Sequence, residues 1–465
     1  MLDNLLLLPP GYGFDSAAWT PASLSSLVAW FDPSPEYVYS NSAAKFAAAS
    51  SQQLQRNMIL GVNYNADFSF SFWVKPVSVS VPGMFVTKNM DGAAFRILHN
   101  NDALLMDWHG GPTVNLAGQF SAGTWAHVSV TYAGTGDKKF RGYVNGSLVF
   151  TTAANAGTQV DANAGQTFFV GGIYGSYFDG SMDSLGFWTR ELSAGDVTAI
   201  YNSGSGKSYS DLTTAEKVSL VSWYDFATTA SLVTDAHGSN TLTNTNSVTC
   251  DAGIVAGQCA VGDPVYRWYA RNNAAIYAEQ TALANRPILR QGANGKYYLE
   301  FDGTNDYLAE PGTSNGNLTG DFHLWAIGTI TSVSGDRYFI SKQKATANYN
   351  GYSLARNAGK IATEVSDGTF TSASGATTIG TGGWKRYSAT RSGTTGTVYI
   401  NGTSDGTGTV RGGDTSFAAS LNIGRFSGTG GLLVGGIAHV VIQTAEISVA
   451  QQALLETYGS AETPT

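Results

Sequence analysis

The sequence predicts an all-β chain of two tandem antiparallel β-sandwiches preceded by an extended N-terminal arm. Three observations carry that expectation: a composition rich in glycine and aromatic residues and poor in charge, a duplicated series of strand landmarks, and an apolar, proline-broken first 25 residues.

Glycine supplies 56 of the 465 residues, aromatic residues make 12% and charged residues only 13%. Glycine provides positive φ at tight turns and aromatic side chains fit pleated surfaces, so many short strands are expected. Domains usually hold about 50 to 250 residues, which implies two or three here. The net charge of −8 is spread thinly and no run of Lys or Arg could track a phosphate backbone, which argues against nucleic acid as a partner. The longest apolar run near a terminus, Leu5 to Leu8, is ended by Pro9 and Pro10, far short of the roughly 20 residues that span a bilayer, so no membrane segment is expected. Asp3 precedes that run and the first basic residue is Lys45, so no cleaved export signal is expected either. Cys250 and Cys259 have no second pair or neighbouring His to complete a zinc site; two reduced thiols or one local disulfide are the readings left open.

The duplication is read from landmarks in matching order. Copy one runs through Lys45-Phe46, Phe70-Ser71-Phe72-Trp73, Val86-Thr87-Lys88, Gly123-Thr124-Trp125, Tyr143-Val144-Asn145-Gly146, Val170-Gly171-Gly172 and Leu192-Ser193 to Tyr201. Copy two answers with Glu300-Phe301, His323-Leu324-Trp325, Ile340-Ser341-Lys342, Gly383-Trp384, Tyr399-Ile400-Asn401-Gly402, Asn422-Ile423-Gly424 and Ile447-Ser448 to Tyr458. From the opening Phe to the Asn-Gly turn is 99 positions in one copy and 100 in the other. Upstream, Leu27-Val28-Ala29-Trp30-Phe31-Asp32 matches Leu220-Val221-Ser222-Trp223-Tyr224-Asp225. These spacings predict an arm to residue 25, a first sandwich over 26–205, a Gly/Ser junction at 206–218, and a second sandwich over 219–465 with an insertion at about 227–297.

Locally, Ala126 to Tyr132 and Arg386 to Thr390 alternate as half-buried strands do. Asn145-Gly146 and Asn401-Gly402 predict type I′ hairpins, because Asn and Gly tolerate the positive φ such turns demand. Ser193 to Tyr201 and Ser448 to Thr457 predict short helices with Ser193 and Ser448 as N-caps.

Phe301-Asp302-Gly303-Thr304-Asn305-Asp306-Tyr307-Leu308, followed by a Trp strand, Trp384, Tyr399 to Gly402 and Asn422-Ile423-Gly424-Arg425, resembles the laminin-G-like jelly roll of the concanavalin A-like lectin/glucanase superfamily. In copy one, Gly180-Ser181-Met182-Asp183-Ser184-Leu185 and Arg190-Glu191-Leu192-Ser193 are similar to that family's closing strand and helical turn. The resemblance spans roughly residues 26 to 460 and implies two concanavalin A-like jelly rolls. Copy one departs from it with Phe46-Ala47-Ala48 in place of Phe-Asp-Gly, and copy two has His439 where copy one has Asp183.

The glucanase members carry Glu-x-Asp-x-x-Glu on one strand, which this chain lacks; its only Glu before residue 190 is Glu36, so the expectation is a protein that is not an enzyme. No Gly-x-Ser-x-Gly has the strand-to-helix setting of a nucleophile elbow, and Gly204-Ser205-Gly206-Lys207 reads as a flexible junction. Calcium is the one cofactor the resemblance leaves open, with Asp302 and Asp306, and Asp179 and Asp183, as candidate ligands or else as turn caps. For glycans, Asp107-Trp108-His109 and Tyr174 with Tyr177 combine rings, polar groups and glycines and are expected on loops, where they would serve either sugar binding or assembly.

Pro9 and Pro10 hold the arm extended, and Leu5, Leu6, Leu7, Leu8, Tyr12 and Phe14 are its anchoring candidates. An extracellular type of fold, no export signal and an apolar arm together point to a bacteriophage virion protein. The expectation is a capsid decoration, head fibre or tail-fibre component that binds other virion proteins through the arm. Such a protein would self-associate symmetrically, a trimer by analogy with viral fibres, and would display its lectin-like modules to surface glycans. The alternative is a free carbohydrate-binding protein or glycoside-active enzyme of cellular origin.

Overall fold

The computed structural model describes residues 19–58, 60–90, 93–108, 111–156, 166–173, 175–226, 232–312, 316–344, 350–427 and 430–465. Arm residues Leu5 to Leu8, Tyr12 and Phe14 lie outside them. Strands make up most of the regular structure among the described residues, and the chain forms two compact units, one of residues Tyr39–Cys259 and a composite one of residues up to Val38 joined to Ala260–Thr465. No helix among the described residues is long and apolar enough to cross a membrane.

Each unit is a sandwich of two antiparallel sheets with one helix against the back sheet. In the 39–259 sandwich the back sheet centres on Gly180–Trp188, which pairs with Phe68–Pro76 along one edge. Its other edge is shared: the first half pairs with Val38–Phe46 and the second half with Leu220–Tyr224. The composite sandwich repeats the device. Val434–Gln443 pairs with Phe322–Ile330 on one side and, on the other, with Tyr297–Asp302 and then Leu27–Phe31.

The two similar strands are therefore exchanged along the chain. Leu27–Phe31 completes the later sandwich, and Leu220–Tyr224 completes the earlier one. This corrects the expected boundaries. Residues 206–218 are no loose junction: Lys207 Nζ lies 2.6 Å from Glu216 Oε1, and a Cβ on Gly206 would come within 2.6 Å of the Trp73 ring. The insertion is split as well. Thr243–Thr245 pairs with Gln53–Asn57 and Thr249–Gln258 with Val38–Phe46, both in the earlier unit, while Arg267–Ala270 and Asn273–Glu279 form a hairpin in the composite one.

The Asn-Gly hairpins form as expected, with φ of 49° at Asn145, 77° at Gly146, 52° at Asn401 and 78° at Gly402. Ser193 and Ser448 cap the helices Ala194–Tyr201 and Val449–Glu462, each within a capping box. Removing either hydroxyl by Ser→Ala is expected to cost about 1 kcal/mol, measurable by urea denaturation. The strand Ala126–Tyr132 differs from expectation, because all seven residues are buried rather than one face. Its polar face lies under the helix, where Ser71 Oγ meets His127 Nε2 at 2.8 Å and Tyr201 lies against Trp73 and His127. Burial depresses the His127 pKa to about 3, so the ring stays neutral.

Cys250 and Cys259 are not joined in a disulfide. Cys250 pairs with Ala44, and Cys259 lies beyond Gln258, the partner of Tyr39. Five residues of the partner strand separate the two registers, about 17 Å, beyond the roughly 7 Å that a disulfide bridges.

Candidate functional site

The front sheet of the 39–259 sandwich has seven strands in the order Thr243–Thr245, Gln53–Asn57, Thr167–Val170, Gly83–Met90, Ala93–Asn100, Ala103–Trp108 and Thr113–Leu116. Period-two alternation sends Phe168, Val170, Phe95, Ile97, Leu104, Met106 and Trp108 into the core between the sheets. The intervening residues face outward and, by pairing, form a transverse row: Gln55, Phe169, Thr87, Arg96, Asp107 and Thr113.

Arg96 Nη2 pairs with Asp107 Oδ2, and Thr113 Oγ1 donates to Asp107 Oδ1 at 2.9 Å. The Arg96 side chain is 45% exposed, so this ion pair is worth at most about 1 kcal/mol to the fold. Its main consequence is to hold a planar guanidinium and a carboxylate side by side at the surface. Beside the row, Met84, Leu98, Phe169 and Ile173 make a small apolar cluster with Leu105 against it. Ile173 belongs to the hairpin Gly172–Ile173/Ser176–Tyr177, so that hairpin reaches the same face as Asp107.

Of the sequence-predicted glycan residues, Asp107 therefore stands on a sheet face rather than a loop, and Tyr177 is half-buried on the adjoining hairpin. Trp108 is corrected: it ends a strand and is fully buried, because it follows Leu104 and Met106 in the inward register. His109 and Tyr174 lie outside the described residues. Arg96, Thr87, Phe169 and Thr113 were missed, although one signal was present. Arg96 and Asp107 are equidistant from the Asn101-Asp102 turn, where Asn101 has φ 55°, and a hairpin pairs such positions.

The composite sandwich carries the equivalent row: Ala309, Asn422, Ser341, Ser353, Glu364 and Ser372. Glu364 stands where copy one has Asp107, and Ser353 where it has Arg96. Here the middle four residues of the row, Asn422, Ser341, Ser353 and Glu364, are buried. Glu364 accepts from Tyr338 Oη at 3.1 Å, from Ser353 Oγ at 2.9 Å and from Asn357 Nδ2.

The calcium candidates bond to their own chain. Asp183 is fully buried, and its Oδ2 accepts from the backbone N–H of Ile254 at 2.9 Å and Val255 at 3.0 Å. Donors aimed at the oxygen are the wrong polarity for a cation's surroundings, and Asp179 is exposed with no shared geometry of that kind. Asp302 Oδ1 accepts from the N–H of Thr304 at 2.7 Å and of Asn305 at 3.2 Å, and Asp306 Oδ2 from that of Asp302 at 3.0 Å, which makes both of them turn caps. Burial pushes the Asp306 carboxyl up to about 7. Among the described residues no three His, Cys, Asp or Glu side chains gather as a metal-binding group.

A family model described as the concanavalin A-like lectin/glucanases superfamily matches residues 46–198 and 302–451, more than half of the chain. No curated protein matches the sequence. Among solved structures, the chain is similar to a Bacteroides ovatus protein described as carbohydrate-binding, with 17% identity and a TM-score of 0.36 over 47% of this chain and 62% of that one. Mouse laminin α1 domains LG4-5 are similar over 86% of both chains, at 10% identity and a TM-score of 0.28. A Ruminococcus gnavus sialidase carbohydrate module bound to α2,3-sialyllactose covers 32% of this chain and 98% of its own length, at 15% identity and a TM-score of 0.27. Likenesses of this size assign no ligand.

Proposed function

The chain belongs to the concanavalin A-like lectin/glucanases superfamily, and from that premise we propose a non-catalytic glycan-binding protein whose binding surface is the front face of the 39–259 sandwich. The observation that carries this reading is the transverse row itself: Arg96 and Asp107 paired at the surface, beside an apolar cluster and between two threonines. A sugar offers a hydroxyl edge, for which the Arg96–Asp107 pair and the Thr113 hydroxyl are partners, and an apolar C–H face, for which the half-buried Leu105 beside them is one. A guanidinium held by a carboxylate loses little freedom on binding, which favours affinity.

Catalysis finds less support on these faces. Glycoside hydrolysis by the common routes needs two carboxyl groups about 5 to 9.5 Å apart. The row of the 39–259 sandwich has one, Asp107, already committed to Arg96. Glu364 of the composite row is likewise its single carboxylate between Ala309 and Ser372.

Binding of the intact chain to a printed array of neutral and acidic oligosaccharides is the test. Arg96→Ala and Asp107→Ala are each expected to weaken the strongest signal at least ten-fold, about 1.4 kcal/mol, while the melting temperature moves by only a few degrees. Array signals untouched by either substitution, or no signal at all, would overturn the assignment to this face.

The display of these sandwiches on a bacteriophage particle, as a homo-oligomer anchored by the arm, is the finer proposal. Supporting it is the docking of residues next to the arm: Trp19 meets Tyr458 edge-on at 6.3 Å and Leu24 joins the apolar cluster around Trp30. Deleting residues 1–18 should abolish incorporation into a particle and leave both sandwiches folded; unchanged incorporation would remove the anchoring role.

A further inference from the structure

On the front face of the composite sandwich one hydroxyl of its own chain is bonded into the row. Ser427 Oγ accepts from the backbone N–H of Gln343 at 2.9 Å and from Asn422 Nδ2 at 3.3 Å, and shares a hydrogen with Ser341 Oγ at 3.0 Å. Beside it Phe426 packs against Tyr338, ring centroids 5.2 Å apart, and Tyr338 N–H donates to Gly431 O. The segment that follows Gly424 thus places a hydroxyl on the row and an apolar ring on the neighbouring position. A bound saccharide would make the same pair of contacts.

Two further observations point to a ligand site rather than to ordinary packing. Gln343 is fully buried, yet its Nε2 has no hydrogen-bond partner among the described residues. An amide left unsatisfied in this way costs about 1–3 kcal/mol and is seldom retained without a use. Glu364, also buried, accepts only from neutral donors and has no Lys, Arg or His within 4 Å among the described residues. A hydrophobic packing face would gain by losing both groups. Glu364 holds the position that Asp107 has in the other sandwich, and Gln343 lies two residues along its strand from Ser341 of the row.

We propose that this face is a second saccharide site, occupied in the free chain by Ser427 in the place of a ligand hydroxyl and by Phe426 in the place of a sugar's apolar face. The proposal rests on reading the front faces as glycan-binding. It makes the two sandwiches unequal: one binds directly, and the other binds only when the ligand displaces residues 426 and 427.

The test uses the full chain carrying Arg96→Ala, so that the first face is silenced. Phe426 N–H donates to Gly430 O at 3.2 Å, so these two residues lie side by side and residues 426–430 can be replaced by two glycines without stretching the chain. On the oligosaccharide array this replacement is expected to raise at least one signal ten-fold or more over the Arg96→Ala parent, and Glu364→Gln added to it is expected to remove the gain. A folded variant that binds nothing above the parent overturns the proposal, as does a gain that survives Glu364→Gln. Should the shortened segment prevent folding, Ser427→Gly empties the hydroxyl position alone. Saturation-transfer NMR with methyl glycosides is then expected to show contact that Glu364→Gln suppresses, and no contact counts against the site. The array result with Arg96 intact bears on the first face alone, so the two readings fail separately.

Discussion

The fragment 39–259, produced alone, is expected to melt in one cooperative transition, whereas the fragment 26–205, the unit suggested by the repeat, is expected not to fold. The longer fragment keeps Leu220–Tyr224 on the edge of Gly180–Trp188, and with it Trp223 and Tyr224, both almost wholly buried. Trp188 and Trp223 meet edge-to-face at 5.9 Å in a cluster with Leu192 and with Val197 and Ile200 of the helix, so removing Trp223 uncovers the helix packing as well. Loss of one buried Trp side chain costs about 3–5 kcal/mol. Loss of the whole strand takes Trp223, Tyr224 and Leu220 together, which rivals the roughly 5–15 kcal/mol that holds a domain of this size. The fragment 26–205 also keeps Leu27–Phe31, whose partner Val434–Gln443 is then absent, leaving Trp30 and Phe31 without a core. Far-UV CD melts of the two fragments decide the matter; a sharp transition from 26–205 would refute the strand exchange.

Asp183→Asn is expected to stabilise the 39–259 sandwich at pH 8 by about 2–3 kcal/mol and to change little at pH 4. Burial raises the Asp183 carboxyl to about 7, with the neighbouring Asp225 adding to the rise, and burial takes Asp225 itself to about 6. An unfolded Asp titrates near about 3.9. Between about pH 4 and 7 the folded state keeps a proton that the unfolded state has released, so the contribution is fully present below pH 4 and is lost as the pH rises through 7. Each tenfold difference in proton affinity between the two states is worth about 1.4 kcal/mol, which places the ceiling at about 4 kcal/mol. An Asn at this position never ionises, and its amide oxygen can still accept from Ile254 and Val255. Urea denaturation at the two pH values measures the difference; equal effects at both would show that Asp183 is not the group that keeps the proton.

Asp183 also shows where the repeat misleads. The matching position in copy two is His439, buried as well, which accepts from Trp30 Nε1 at 3.4 Å. Each residue sits on the closing strand of its own sandwich. In copy one the carboxylate bonds the strand Thr249–Gln258, drawn from residues assigned by sequence to the other copy. The carboxylate was legible as a residue out of pattern, but its partner was not, because two backbone N–H groups have no signature in the sequence.

The front faces were legible only in part. Asp107 stands out through its neighbours Trp108 and His109, yet Trp108 belongs to the opposite face of the same strand. A strand's inward register is fixed by which face meets the core, and the alternation Leu104, Met106, Trp108 already contains that answer. Glu364 does not stand out, because the hairpin around Ala358-Gly359 shares no landmark with its counterpart around Asn101-Asp102. The two carboxylates become equivalent only after each is counted across the sheet from its Thr87 or Ser341 neighbour.

By itself the sequence determined the all-β class, the two jelly rolls, the Asn-Gly hairpins and the Ser-capped helices, since each depends on contacts between residues close in the chain or on spacing that duplication preserves. The tertiary structure alone decided which sandwich receives each Trp strand, and that Arg96 meets Asp107 while Glu364 meets Ser353, Asn357 and Tyr338. Leu27–Phe31 and Leu220–Tyr224 carry nearly the same residues and would satisfy either closing strand chemically. Their choice of partner is set by strand pairing across hundreds of residues, which local sequence does not encode.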